Sequence, residues 1–201
     1  MNGFKEFTGG ALDTNCYLFA TPGGNVLFDA PQGADAAFAN ESIDLLVLTH
    51  GHFDHVADAA AIKQRHGCPV AMHPLTEPMV ADPDFFRRWG FSLEIAPVTA
   101  DELLLEGKRD LLGEPCEIHH VPGHCPGSLC VLFSGPGVLV GGDVLFAGGV
   151  GRWDLPGGDY DTLISGIREK LLPMDDAVKV LPGHGPETTI GEERRSNPFL
   201  A

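Results

Sequence analysis

Positive charge is scarce in this chain of 201 residues: thirteen Lys and Arg face twenty-eight Asp and Glu, a formal net charge of -15. An excess of that sign repels phosphate backbones and anionic bilayers alike, so neither nucleic acid nor a membrane surface is an expected partner. Long apolar runs are lacking too. The most apolar window, residues 129–150, is cut by glycines and by Pro136, which argues against a membrane span. Residues 1–7 show no basic stretch leading into an apolar one, so no export signal is read there. Cysteines are few, odd in number and without C-x-x-C pairing: Cys16, Cys68, Cys116, Cys125 and Cys130. Such a set fits reduced thiols better than a disulfide framework, and the expected compartment is the cytoplasm.

What is present is enough apolar content, 43%, for a sizeable core. We expect a single domain over residues 1–201. Short apolar runs alternate with amphipathic stretches, the pattern of an α/β protein. Strands are expected at 25–28, 44–49, 69–72, 117–121, 128–133, 138–140 and 178–181. Residues 56–66 have helical spacing, with Gly67 placed to stop the helix. Leu163, Ile164, Ile167 and Leu171 mark the apolar face of a helix over 161–172. Thr189 and Glu192 have capping-box spacing at the start of a last short helix.

Four stretches carry chemistry: His50-Gly51-His52-Phe53-Asp54-His55, then His124 after Pro122-Gly123, Asp143 after Gly142, and His184 after Gly183. Together they supply five imidazoles and two carboxylates, each at or just past the carboxyl end of an expected strand, where open α/β folds build their sites. Seven N and O ligands suit two borderline divalent ions sharing one carboxylate. The expected division is His50, His52 and His124 for one ion, Asp54, His55 and His184 for the other, and Asp143 between them. Zinc is the expected metal, and iron or manganese accepts the same donors. A water bridging two such ions loses a proton near neutral pH, while the ions polarise a carbonyl that becomes an oxyanion. Asp54 and Asp143 are therefore the candidate catalytic carboxylates.

Among the other histidines, His66, His73, His119 and His120 are read as structural, although one of the adjacent pair on a strand could orient a ligand. Cys125, next to His124, is read as packing rather than ligating. Phe85-Phe86-Arg87-Arg88-Trp89-Gly90-Phe91 is either a lid or contact segment or an amphipathic helix with one face in the core; the second reading is preferred.

The segments Thr49-His50-Gly51-His52-Phe53-Asp54-His55, Pro122-Gly123-His124-Cys125-Pro126-Gly127-Ser128, Gly142-Asp143-Val144-Leu145-Phe146 and Pro182-Gly183-His184-Gly185-Pro186-Glu187-Thr188 resemble the metal motifs of the metallo-β-lactamase superfamily. Gly151-Arg152-Trp153-Asp154-Leu155-Pro156-Gly157-Gly158-Asp159 and the ending at 189–200 resemble its short glyoxalase-II-like, hydroxyacylglutathione hydrolase members, and Asn15-Cys16-Tyr17-Leu18 and Asp29 resemble its opening strands. The resemblance implies an α/β fold of four layers, an αββα sandwich with the metals at one edge, and hydrolysis of a small-molecule thioester such as an S-acylglutathione. It makes Arg152 and Trp153 candidate substrate-binding residues. For Arg152 an ion pair with a nearby Asp is the equal alternative. A thiolate leaving group, with a thiol pKa of about 8.5, departs without a dedicated general acid, and none is obvious here. Two other activities of the same fold remain open, a mononuclear iron persulfide dioxygenase using His50, His124 and Asp143, and a lactonase or other ester hydrolase.

Overall fold

The computed structural model describes residues 3–88, 90 and 95–200. One six-stranded sheet takes β1 (Phe4–Gly9), β2 (Thr14–Thr21), β3 (Gly24–Phe28), β4 (Leu45–Leu48), β5 (Val70–Met72) and β6 (Glu102–Leu103) in chain order. Its first three strands form an antiparallel meander, and β3 to β6 run parallel. A second sheet begins with β7 (Gly107–Leu111), β8 (Glu114–His120), β9 (Leu129–Phe133) and β10 (Val138–Gly142), all antiparallel to their neighbours. A small ribbon of β11 (Leu145–Phe146) and β12 (Gly149–Val150) follows. The chain then returns as β13 (Lys179–Pro182), parallel to β10, and β14 (Thr188–Thr189).

Alternation along the strands divides the apolar side chains among three cores. Leu18, Leu27, Leu46, Leu48, Val70 and Met72 point to the outer side of the first sheet, where they meet Ala34, Val56, Ala59, Ile62 and Met79. These last come from α1 (Ala34–Ala37), α2 (Phe53–Val56), α3 (Ala59–His66) and α4 (Glu77–Val80), with α5 (Phe85–Arg88) beside them. The alternate residues Tyr17, Phe19, Val26, Phe28, Leu45 and Val47 point inward against Ile118, Leu129, Val131 and Phe133 of the second sheet. Phe133 lies 5.5 Å from Phe19 and 5.9 Å from Phe28, ring centre to ring centre, pinning the two sheets. On the far side, Cys130, Leu139 and Val180 meet Leu163, Ile164, Ile167, Leu171 and Ile190. Those belong to α6 (Tyr160–Gly166), its π-helical continuation Ile167–Leu171, and α7 (Ile190–Ser196). Three interleaved cores make four layers, helix, sheet, sheet, helix.

One sequence expectation is interrupted for a local reason, and three are met. The helical pattern of 56–66 breaks between α2 and α3 because Ala30 intercepts the backbone: its N–H donates to His55 O at 2.8 Å and its carbonyl accepts from Asp58 N at 2.9 Å. Gly67 does end α3, at φ 63, with its N–H on the carbonyl of Lys63. The helix expected over 161–172 is α6 with its π-helical turn, all four marker residues reaching the outer core. Thr189 caps α7 by accepting from Glu192 N at 3.1 Å.

All five cysteines are buried and unpaired. Burial pushes the thiols of Cys16 and Cys130 far up, and that of Cys116 to about 12. Among the described residues no helix is long and apolar enough to cross a membrane.

Candidate metal centre

The centre lies where both sheets end. Strand β4 is buried along all four residues and delivers Thr49 and His50 at its exit; His52 then caps α2 in an extended conformation, which puts Asp54 and His55 on that helix's first turn. From the second sheet come His124 after β8, Asp143 directly after β10 and His184 two residues after β13. The candidate ligand atoms of His50, His52 and His124 fall within 4.8 Å of one another, as do those of Asp54, His55 and His184. Between the two groups sits Asp143. Its Oδ1 is 3.2 Å from His55 Nε2, and its Oδ2 is 3.5 Å from His124 Nε2 and 3.4 Å from His184 Nε2. The sequence-expected ligands are thus brought together in the expected grouping.

The donor set fits divalent ions on a physical test. Buried His55 Nε2 and Asp143 Oδ1 face each other at 3.2 Å, and His52 Nε2 is a buried atom with no hydrogen-bond partner. An atom so left costs about 1–3 kcal/mol unless something binds it. His50 Nε2 and His124 Nε2 face each other at 3.3 Å, an approach that a shared cation relieves. Three of the Nδ1 atoms are tied down here: His124 Nδ1 to Arg152 O at 2.8 Å, His184 Nδ1 to Leu12 O at 3.0 Å, and His55 Nδ1 to Asp29 Oδ2 at 2.8 Å. Such bonds fix each imidazole's tautomer and aim its other nitrogen.

Asp29 is the functional residue whose role sequence reasoning missed. Its carboxylate also accepts from Thr49 N and Thr49 Oγ1, each at 2.8 Å, and Thr49 Oγ1 lies 3.1 Å from His50 Nδ1. Its backbone adopts φ 61, the left-handed region, where Asp is among the few tolerant residues. One buried carboxylate thereby orients ligands of both groups. Asp29 also lies close to His50 and His55 as a third potential ligand set, but its oxygens are already engaged as this anchor.

Electrostatics divides the centre in two. Burial holds His50 well below the usual imidazole range, His52 down at about 3 and His124 below its ordinary value, so these rings are neutral and ready to ligate. In the other group burial acts the same way on His55 and His184 but is outweighed. Asp143 and Asp29 raise His55 well above its usual value, and Asp143 and Asp54 raise His184 to about 10. For the carboxylates burial opposes ionisation, yet His184 and His55 lower Asp54 to about 2, and His55 and His184 take Asp143 well below its range. Near neutral pH the metal-free chain therefore holds protons on His55 and His184 that an ion must displace. We expect metal uptake to release roughly two protons per chain and to weaken as pH falls. Calorimetry in buffers of different ionisation enthalpy measures that release; heat independent of buffer would contradict it.

The other sequence candidates fall as follows. Arg152 holds Asp154 in a bidentate pair at 2.9 and 3.0 Å while lining the cavity over the centre. Trp153 packs on Tyr160 and Phe199 and is not among that cavity's lining residues. Cys125 packs with its sulfur 3.5 Å from that of Met79. His73 and His120 stack at 4.1 Å, and His120 Nε2 meets Pro126 O at 2.8 Å, bracing the loop that carries His124. His119 Nε2 is buried without a partner, and His66 ends α3. In the aromatic segment Phe86 is buried and joins the cavity wall with Phe53; Trp89 and Phe91 lie outside the described residues. The cavity holds about 570 Å³, and its apolar walls are Leu12, Phe53, Phe86, Phe146 and Leu155.

The model of the Metallo-beta-lactamase superfamily matches residues 9–184, and the chain belongs to that superfamily. It is a metallo-hydrolase by class, with His and Asp clusters suited to divalent metal ions. Among named relatives, it is 40% identical over 199 residues to the hydroxyacylglutathione hydrolase GloC of Haemophilus influenzae, covering 94% of each chain. It superposes on the BLEG-1 B3 metallo-beta-lactamase with a TM-score of 0.92 and 34% identity, over 98% of this chain and 99% of that one. A second solved relative, TTHA1623 in a di-iron-bound form, matches with a TM-score of 0.87 and 38% identity over 98% and 100%.

Proposed function

We propose that this chain is a dinuclear metal-dependent thioesterase acting on S-acylglutathione-type thioesters. The observation that carries the reading is Asp143, one carboxylate whose two oxygens face both ligand groups. The similarity to the hydroxyacylglutathione hydrolase of Haemophilus influenzae supports the substrate class. His50, His52 and His124 would hold one ion, Asp54, His55 and His184 the other, with Asp143 shared. Bound there, two divalent ions acidify water and polarise a carbonyl oxygen. Zinc is the proposed metal; iron and manganese suit the same donors, and the di-iron relative makes iron an outcome to test for.

The chain's own residues do the rest. Asp54, kept ionised, and Asp143 orient the attacking water. Leu12, Phe53, Phe86, Phe146 and Leu155 exclude bulk water around the acyl group and strengthen every charge interaction inside. Arg152, at the rim and about two-thirds exposed, can exchange Asp154 for a carboxylate of the thiol carrier. Among the described lining residues there is no Lys, Tyr, Cys or Glu to serve as a spare acid. Thiolate departure needs none. Amide cleavage, whose nitrogen must be protonated, is served less well. The proposed partner is thus a small thioester rather than nucleic acid or membrane, and the proposed compartment is the cytoplasm, where five unpaired thiols stay reduced.

Elemental analysis beside a substrate panel tests the proposal: S-lactoylglutathione, other acyl thioesters, a lactone and glutathione persulfide. Two metals per chain with thiol release from the thioesters is the expected result. One iron per chain with oxygen uptake on persulfide, or turnover of the lactone alone, would overturn it.

A further inference from the structure

The second ligand group is assembled across the gap between the sheets, and the residues spanning that gap sit in the first hairpin. Asn15, at the start of β2, is 3% exposed. Its backbone N–H donates to Gly183 O at 2.7 Å, and its side-chain Nδ2 donates to Pro182 O at 3.1 Å and to Gly185 O at 2.9 Å. The amide's oxygen is used as well, accepting from Thr8 Oγ1 at 2.8 Å, so the amide plane is fixed by three bonds. Those three carbonyls run from Pro182, the last residue of β13, into the turn that presents His184. Its neighbours act on the same group: Thr14 Oγ1 donates to Asp54 Oδ2 at 2.8 Å, Thr14 bridges His184 through the backbone, and Leu12 O holds His184 Nδ1. Among the described residues, no hydrogen bond of the Asn15 side chain goes to a candidate ligand side chain. Pro182 O also accepts from Tyr17 Oη at 2.7 Å, so the bond to Gly185 O is the one in which Asn15's amide has no second side-chain donor beside it among the described residues.

We propose that Asn15 is a positioning residue for the Asp54, His55 and His184 half-site, clamping the 182–185 turn to the first sheet so that His184 faces Asp54 and Asp143. The inference rests on the dinuclear reading above. Its logic is that of an outer hydrogen-bond partner, whose loss typically lowers metal affinity 10–100-fold. Asn15→Ala removes all three side-chain bonds. Asn15→Asp keeps the shape and the Thr8 contact while setting a carboxylate oxygen against two carbonyls. Thr8→Val leaves Asn15 in place but unfixed, on an exposed strand position where folding is safe.

The experiment titrates zinc against a competing chelator in the parent, in each variant and in His184→Ala, with thermal midpoints of metal-free and zinc-loaded protein. The expected pattern is selective. Asn15→Ala and Asn15→Asp lose one zinc about 10–100-fold more readily and keep the other, Thr8→Val shows the same loss in smaller measure, and Asn15→Ala adds nothing on top of His184→Ala. Asn25→Ala, which removes a comparable amide clamp on Ser42 far from the centre, should move neither zinc. A merely structural Asn15 would lower the metal-free midpoint and weaken both zincs alike, and that result overturns the proposal. So does unchanged binding of both zincs in the Asn15 variants, or in Thr8→Val should those variants fail to fold. One zinc in the parent chain would instead sink the dinuclear reading, which separates the two failures.

Discussion

Asp143→Ala is expected to leave a folded chain that has lost turnover by roughly 1,000-fold, the rate equivalent of the several kcal/mol that a correctly held metal pair contributes. The reason is positional. Asp143 faces both ligand groups directly, within 3.2 Å of His55 and 3.4 to 3.5 Å of His184 and His124. Without it, His55 and His184 also lose one of the two carboxylates that raise each of them, leaving Asp29 on His55 and Asp54 on His184. Folding should survive because the three cores draw on other residues. Elemental analysis beside steady-state kinetics decides it: full activity in a purified variant with two metals per chain would refute the assignment.

A methyl group placed where there is no ligand should do nearly as much damage. Gly183 has no side chain because the space is already taken: a Cβ there would fall on Asp143 Oδ1 and come within 2.6 Å of His55 Cε1. Nor can the backbone retreat, since Gly183 N donates to Gly142 O at 2.8 Å and Gly183 O accepts from Asn15 N at 2.7 Å. Gly183→Ala is expected to strain the centre by about 1–3 kcal/mol. It should displace the shared carboxylate and cut activity at least about 100-fold with metal loss. Gly135→Ala, where the nearest atom is 3.9 Å away, is the matched control and should behave like the parent. Equal metal content and activity in both variants would show that the ligand cluster is looser than its distances imply.

How much of this was open to sequence reading depended on how far apart the cooperating residues lie. His50, His52, Asp54 and His55 are crowded into six positions, and His124, Asp143 and His184 each follow a Gly at an apolar strand's exit, so their chemistry was readable in one dimension. Most interior strands were readable too, because burial on both faces leaves runs such as 45–48 without a polar residue; β2, whose buried start carries Thr14, Asn15 and Tyr17, was met only through the family resemblance. Edge strands were not. β7 shows solvent Lys108, Arg109 and Asp110, and β6 has only two residues, both exposed, so neither carries alternation. Asp29 and Asn15 were visible only as members of opening strands. One is an acid among twenty-eight and the other an amide beside a cysteine, and their roles exist only once β3 lies beside β4 and β2 reaches the turn after β13. For Arg152 both weighed uses survive, since the Asp154 pair forms at the rim of the cavity itself.

The sealed cysteines supply a built-in clock. With every sulfhydryl inside and the thiols held protonated by burial, an alkylating reagent added to the intact protein has nothing to attack until some part of the chain opens. The rate at which each sulfur is capped then reports how often its own layer parts: Cys16 and Cys125 for the outer side of the first sheet, Cys116 for the seam between sheets, Cys130 for the opposite outer side.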